Sequence, residues 1–387
     1  MRADAYAMMQ DNSITDTPFM YVDGQACTTI WYDYEQQATC IIDQTQLPHR
    51  FSIIQLRKAE DFLTAISDMQ VRGAPLIGAT AAFGLATAIA EDPSPANESY
   101  WLHRLQATRP TAINLNWSLN RVSKALQGVD IANRPSAALA EAENIRTEDM
   151  HICETIGNHG LEILTGLWKK KAGQDKTLNI LTHCNAGWLA TVDWGTALAP
   201  IYKAHQAGIP VHVWVDETRP RNQGSRLTAW ELQQQGIPHS VIVDNTGGHL
   251  MQQGMVDVCL VGSDRTTASG DVCNKIGTYL KALAAKDNHV PFFVALPTSS
   301  IDWTIDNGLT EIPIEVRDAR ELTHIEGVDK NNRIVEIQLS SHSAVVNYAF
   351  DVTPARLVDG LITEYGVYSA TKTSLLSLKQ LQEQSNE

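Results

Sequence analysis

Beyond Asp175, short apolar runs alternate with helix-patterned segments in a regular beat. The runs are LNILTHC, VHVWVDET, HSVIVDN, VDVCLVGSDR and VPFFVALP. Between them lie TALAPIYKAHQAG, RLTAWELQQQG, GHLMQQG and NKIGTYLKALAAKD. That alternation is the pattern of βαβ units, in which helices bury a parallel sheet on both faces. Right-handed crossovers bring the strand ends of such a sheet to one edge. The edge then gathers Cys184, the loop from Asp216 to Gly224, Asp244–Asn245 and Asp264–Arg265.

The first half reads differently. From Tyr21 to Gln46 the segments FMYVDG, TTIWYDY and ATCIID suggest short strands, with Asp23–Gly24 as a hairpin turn. Phe62, Ile66 and Met69 recur at helical spacing until Val71-Arg72-Gly73-Ala74-Pro75 interrupts them. Pro75 suits the first turn of a following helix, Leu76 to Ala90, whose Ala and Gly content predicts close packing. Arg109 precedes an expected helix start at Pro110 and Thr111. One long helix is expected from about Pro135 to Leu167, ended by Lys169–Lys171 and Gly173. NYAFDVTPARLVDGLITEYG, near the C-terminus, reads as a turn followed by a helix with Pro354 near its start. The expected organisation is α/β: a loose tail (1–20), a smaller N-terminal domain of short strands and helices (21–172), and a C-terminal domain built on a parallel sheet (173–387).

Composition narrows the partners. The 387 residues carry a formal charge of −14, with 43% hydrophobic and 19% charged residues. Such a chain has enough apolar residues for sizeable cores and is a poor match for nucleic acid or an anionic membrane. The six cysteines show no CxxC pair and no zinc spacing, which predicts a reducing, cytoplasmic setting and no bound metal. The N-terminal segment MRADAYAMMQDNSITDTPF lacks the apolar stretch of a secretory signal. No uninterrupted apolar run approaches 18 residues, so no membrane span is expected.

The chemistry centres on TLNILTHCNAGWLAT, read as a strand, a tight loop and the start of a helix. It leaves the thiol of Cys184 at a strand end, where open α/β sheets bind ligands. Asp264 ends another apolar run. Arg219, Arg221, Arg226 and Arg265, the amide of Gln223, and Asn274–Lys275 at an expected helix start belong to the same edge. Arginines and helix N-termini bind phosphate, and a carboxyl among apolar neighbours stays protonated and can act as an acid. Together they suit proton chemistry on a small phosphorylated molecule. Each also has an ordinary reading. Cys184 could be core packing, Asp264–Arg265 an ion pair, TRPRNQGSR a solvated loop, RGAP helix punctuation, and His183 a loop-orienting or solvent-facing side chain. The sequence has no GxGxxG, P-loop, HExxH or GxSxG motif, so neither a nicotinamide nor another cofactor is expected.

The segments DMQVRGAPLIG, RPTAINLNWSLNR, ILTHCNAGWLAT, WVDETRPRNQGSRLTAWELQQQGIP, VGSDRTTASGDVCNKIGTY and AFDVTPARLVDGLITEYG closely resemble the methylthioribose-1-phosphate isomerases of methionine salvage. The resemblance runs from about Thr28 to Val367. It implies a small N-terminal domain, a Rossmann-like C-terminal domain and a homodimer. It also implies conversion of 5-methylthioribose 1-phosphate to 5-methylthioribulose 1-phosphate, with Cys184 and Asp264 as the catalytic pair. Arg72, Gly73, Ala74, Arg109, Gln223, Asn274 and Lys275 match the substrate-binding motifs. Three positions depart from the family pattern: Ser263 stands where Ala is usual, Asp244-Asn245-Thr246-Gly247-Gly248 replaces DNMAG, and SDRTTASGD replaces ADRIAANGD. Related isomerases act on 5-deoxyribose 1-phosphate or ribose 1,5-bisphosphate. The fold is also similar to that of regulatory subunits of a translation-initiation exchange factor, which generally lack the Cys–Asp pair.

Overall fold

The computed structural model describes residues 19–109, 112–171, 176–339 and 343–385. Most of the expected tail, the helix start at Pro110–Thr111, and Gly173 with the boundary beside it lie outside the described residues. The N-terminal part opens with a hairpin, β1 (Tyr21–Val22) and β2 (Gln25–Ala26). Its two-residue turn places Asp23 at φ 49° and Gly24 at φ 82°, the left-handed pair that matches strand twist. Strands β3 (Ile30–Asp33), β4 (Ala38–Ile42) and β5 (Ile53–Leu56) form an antiparallel sheet. Helices α1 (Ala59–Ser67), α2 (Ala74–Glu91), α3 (Pro95–Thr108), α4 (Ile113–Ala125) and α5 (Arg134–Lys170) follow.

Helix α2 is the centre of this layer and packs against α1, α3, α4 and α5. Small residues permit the close approach: Gly84 faces Phe62, and Gly78 faces Ser118 and the Asn114 carbonyl. By length and composition alone α2 could cross a bilayer, a feature that a search for unbroken apolar runs passes over. Its 78% burial inside the protein makes it a core helix instead.

The second part is the expected α/β sheet. Its strands are β6 (Leu178–Thr182), β7 (Val211–Asp216), β8 (His239–Ile242), β9 (Val258–Val261), β12 (Phe292–Ala295), β17 (Gly360–Thr363) and β18 (Gly366–Tyr368). They lie in the order β18-β17-β12-β9-β6-β7-β8, parallel except for β18. Helices α6 (Ala199–Gln206), α7 (Ala229–Gln234), α8 (Thr246–Gln252) and α9 (Thr278–Asp287) cover it, with α10 (Lys372–Ser385) at the end of the chain. Successive residues alternate between two cores, as the pleat requires. Ile180, Val258 and Leu260 join α5 and α6 in one core. Leu181, Cys259 and Val261 join α8, α9 and α10 in the other. The chain moves from β6 to β7 and β8, then returns to place β9 on the far side of β6. Ile180 pairs with Val258 and Leu181 with Cys259 across that join. The carboxyl ends of β6 and β9 therefore meet at the topological switch point.

Three sequence expectations are corrected. Asn274 and Lys275 do not open a helix. They end strand β11 (Val272–Lys275), which lies in a four-stranded sheet with β10 (Arg265–Thr267), β13 (Ile301–Asp302) and β16 (Phe350–Thr353). Helix α9 starts only at Thr278, where the Asp351 carboxylate of β16 accepts from the N–H groups of Gly277 (2.7 Å) and Tyr279 (3.1 Å). This remote cap satisfies donors that a helix start leaves free. NYAFDVTPARLVDGLITEYG is likewise not a turn and helix: it supplies β16, a 3₁₀ turn at Ala355–Leu357, β17 and the start of β18. Phe293, Val294 and Ala295 of β12 pair with Gly360, Leu361 and Ile362, and this non-local ladder overrides the local helical spacing. Finally, no helix follows Gly187 directly. A 3₁₀ turn at Trp188–Ala190 and an irregular buried segment precede α6.

That irregular segment hangs on two buried acids. Asp149 accepts from Val192 N (2.7 Å), and Asp193 accepts from Phe19 N (2.7 Å) and Trp194 N (2.8 Å). Burial pushes each carboxyl from the ordinary 3.8 up to about 7, against these N–H groups, which pull it down. An acid whose folded pKa stands above its unfolded value holds more protons folded than unfolded. Its contribution to stability is full below the unfolded pKa and is lost as pH rises through the folded one. Between pH 5 and pH 7 each carboxyl should cost the folded state on the order of 2 kcal/mol. Asp149→Asn, neutral throughout, should flatten the fall in urea midpoint between those two pH values; an unaltered slope would contradict the assignment.

Candidate active site

Cys184 follows β6 by two residues and has a φ of 64°, a left-handed conformation uncommon for a side chain with a Cβ. Tertiary bonds hold it there. Its N–H donates to Thr218 Oγ1 (2.8 Å), and its carbonyl accepts from Thr228 Oγ1 (2.8 Å). The Sγ–H group donates to Gln223 Oε1 at 3.3 Å. His183, beside it, is buried and tied in as a loop-orienting residue. Its Nε2 lies 2.8 Å from the Ile276 carbonyl and its Nδ1 2.8 Å from Asp216.

Asp264 lies three residues past β9, its N–H donating to the Cys273 carbonyl at 3.0 Å. Cys184 and Asp264 face one pocket with Arg72, Gly73, Ala74, Arg109, Gln223, Asn274 and Lys275, so every residue that the resemblance points to lines it. The pocket holds about 970 Å³ of empty space, open solvent at its mouth included. Gly73 is required on two counts. Its φ is 88°, and an added Cβ would collide with the backbone of Ala190. Ala74 and Pro75 then open α2 beside the pocket, where the first N–H groups of a helix lack intrahelical partners.

Three cations meet the two acids. Arg72 is buried, with Nη1 bonded to Asn185 Oδ1 and Nη2 to the Asn185 carbonyl (2.6 Å). Lys275 is buried, with Nζ 4.6 Å from the Phe350 ring centroid. Arg109 Nη2 lies 3.4 Å from Glu315, and Arg109 Nε has no partner among the described residues. Burial pushes the Cys184 thiol up, against the pull of Arg72 and Lys275. Burial also pushes the Asp264 carboxyl up, against Lys275, Arg109 and Arg72. Desolvation lowers Lys275 and Arg72, and the two acids partly restore each. The protonated thiol and carboxyl thus gain weight at neutral pH while cations stay beside them.

Four other arginines do not serve as a free phosphate cluster. Arg265 borders the pocket but pairs with Asp302, Arg221 pairs with Glu321, and Arg226 pairs with Glu326. Arg219 donates to the carbonyls of Pro220 and Leu322. Arg219, Arg221 and Arg226 fasten the TRPRNQGSR loop to the segment around 321–326. Ser263, singled out as a departure from the family pattern, lines the pocket; sequence reasoning missed Asn185, Thr196 and the apolar wall of Met69, Ile77, Ala112, Ile312, Pro313 and Phe350. Asn185 adjoins Cys184 in THCNAG and could have been found there; the wall comes from four separate parts of the chain and carries no local signal. Among the described residues, His183, Asp216 and Asp244 bring together the donor types of a metal site. Lys281 already places its ammonium 3.1 Å from Asp216 and donates to the Asp244 carbonyl.

An acid-lined, cation-ringed pocket at the switch point of a Rossmann-like sheet defines an α/β enzyme for a small anionic substrate. The chain belongs to the Initiation factor 2 subunit family, whose model matches residues 70–370, and within it to the branch of the methylthioribose-1-phosphate isomerases. It is 58% identical to the methylthioribose-1-phosphate isomerase of Methylorubrum populi, over 93% of this chain and 98% of that one. The crystal structure of 5-methylthioribose 1-phosphate isomerase from Pyrococcus horikoshii OT3 is similar at a TM-score of 0.78 and 36% identity, covering 92% of this chain and 97% of that one. The translation initiation factor eIF-2B, subunit delta, from A. fulgidus matches at 0.74 and 37%, covering 91% and 100%.

The raised thiol makes a direct prediction. Alkylation of Cys184 by iodoacetamide should still accelerate above pH 9. Lys275→Met, which removes a cation favouring the thiolate, should move that profile to higher pH. A plateau near neutral pH, or a shift the other way, would contradict the site electrostatics.

Proposed function

We propose that this chain is an aldose–ketose isomerase that converts 5-methylthioribose 1-phosphate to 5-methylthioribulose 1-phosphate in methionine salvage. The observation that carries this reading is the convergence of Cys184 and Asp264, from the ends of adjacent parallel strands, on one pocket with three cations. In the substrate the anomeric oxygen carries phosphate, so the ring cannot open through a free hydroxyl. The ring oxygen must gain a proton, the C2 hydroxyl must lose one, and the C2 hydrogen must move to C1. Asp264, held toward its protonated form by burial, moves the main proton. Cys184, likewise held as a thiol, assists as the second acid/base or stabilises the transition state. Arg72, Arg109 and Lys275 hold the phosphate, with the N-terminus of α2 at Gly73 and Ala74 behind them. Gln223 and Asn274 orient hydroxyl groups.

The lining favours a methylthio group at C5. Of four cations at the pocket, Arg265 is held by Asp302 through two of its nitrogens, leaving Arg72, Lys275 and Arg109, itself 3.4 Å from Glu315, for one phosphate, while Met69, Ile77, Ala112, Ile312, Pro313 and Phe350 offer apolar surface. Ribose 1,5-bisphosphate would bring a second phosphate that needs its own cations. Turnover of methylthioribose 1-phosphate should exceed that of 5-deoxyribose 1-phosphate and ribose 1,5-bisphosphate; preference for the bisphosphate would overturn the substrate assignment. A likeness to a protein named as an initiation factor leaves a non-catalytic role as the competing reading, and turnover decides between them. A cytoplasmic homodimer completes our reading; the six buried cysteines, none joined in a disulfide, support a reducing compartment.

Asp264→Asn should lower kcat by about 10²–10⁴-fold while substrate binding persists; near-normal turnover would sink the assignment. Cys184→Ala should lower kcat more than it raises KM, whereas a pure KM effect would make Cys184 a wall of the pocket. Turnover in deuterium oxide reads the route. Label at C1 marks proton removal through a cis-phosphoenolate. Unlabelled product marks a hydride shift or a proton shielded from solvent.

A further inference from the structure

Glu231 lies on α7, away from the pocket lining, and is wholly buried. Among the described residues no basic side chain forms an ion pair with it, and an uncompensated buried carboxylate is costly. Both oxygens are instead filled by donors. Oε1 accepts from Asn185 Nδ2 (2.7 Å) and Leu189 N (3.0 Å); Oε2 accepts from Trp188 N (2.8 Å) and Tyr202 OH (2.7 Å). Gly187 has no Cβ to obstruct this approach; one would collide with Oε2.

We propose that Glu231 is a positioning residue for the phosphate-binding guanidinium of Arg72, acting through the side-chain amide of Asn185. The polarity of the hydrogen bonds forces the relay. Oε1 of Glu231, filled by two N–H donors, accepts, and a guanidinium only donates. Asn185, placed between them, has one stable orientation: Nδ2 toward Glu231 and Oδ1 toward Arg72. Its Nδ2 also donates to Thr228 Oγ1 at 3.1 Å, on the same side as Glu231. Arg72 then fastens both terminal nitrogens to this one residue, Nη1 to Oδ1 and Nη2 to the backbone carbonyl. The fork is fixed before any substrate enters, so the phosphate site need not be ordered on binding. The charge acts in the same direction, since Glu231 favours the cationic form of Arg72.

The relay rests on the reading that Arg72 holds the substrate phosphate, and its test uses inorganic phosphate as a probe independent of turnover. Glu231→Gln keeps the shape but presents an NH₂ group where only acceptors fit. It should raise the calorimetric Kd for phosphate about ten- to a hundredfold, the range for a lost charge-assisted hydrogen bond. The KM for methylthioribose 1-phosphate should rise similarly, with kcat changed less. Combined with Arg72→Lys, which removes the fork itself, the losses should not multiply. Parent-like phosphate affinity in Glu231→Gln, or losses that multiply with Arg72→Lys, would overturn the relay. If Glu231→Gln does not fold, Asn185→Ala removes the middle link and leaves Glu231 three donors; it must weaken phosphate binding without multiplying with Arg72→Lys, or the proposal is wrong. A parent protein that binds phosphate yet fails to turn over the sugar sinks the proposed activity and leaves the relay standing.

Discussion

The parallel pairing of β6 with β9 is the constraint on which the rest of the structure depends. Those strands are separated by some eighty residues, two further strands and three helices, yet they are neighbours in the sheet. A chain that builds outward in one direction and then returns leaves a crevice where the directions part, since the connections leaving the two strands diverge. Cys184 and Asp264 leave the sheet at that crevice. Burying both sheet faces, one under α5 and α6 and the other under α8, α9 and α10, makes the platform rigid enough to hold them.

The crevice is closed by material that does not belong to the parallel sheet. The N-terminus of α2 supplies Arg72, Gly73 and Ala74 from one side. The four-stranded sheet supplies Asn274 and Lys275 from another, and Ile312 and Pro313 come from a later segment. This enclosure sets the electrostatics. A chain of formal charge −14 presents an inner surface where Arg72, Arg109 and Lys275 gather at one pocket. Desolvation strengthens each pairwise term and shifts acids and bases toward their neutral forms. The pocket is therefore prepared for an anion and for proton transfer by one feature, the burial of its ionisable side chains.

The legible parts of the site were those carried by short continuous motifs. THCNAG placed Cys184, VGSDR placed Asp264, and RGAP marked the turn at Gly73, because each requires a particular residue at a particular backbone position. Asn274 and Lys275 line the pocket from a strand and not from a helix start, since the partner that makes them a strand, β16, lies some seventy-five residues away. The arginines of TRPRNQGSR looked like phosphate ligands in isolation. Only the positions of Glu321, Glu326 and the Leu322 carbonyl show them engaged as fasteners. Glu231, in the middle of an unremarkable helical pattern, gave no sign of its role, which exists only because Asn185 and the N–H groups of Trp188 and Leu189 converge on it.

By itself the amino-acid sequence determined the alternation of strands and helices, the parallel sheet, the long α5 helix and the residues able to do chemistry. These follow from periodicity and local backbone requirements, which act over a few residues. Tertiary structure alone decided which strand ends meet, which arginines face the pocket, where α9 begins and what becomes of the segment from Phe350 to Tyr368. Those outcomes depend on partners distant in the chain. A buried N–H, carboxylate or strand edge must be satisfied by whatever the fold brings to it, and local pattern does not record what that will be.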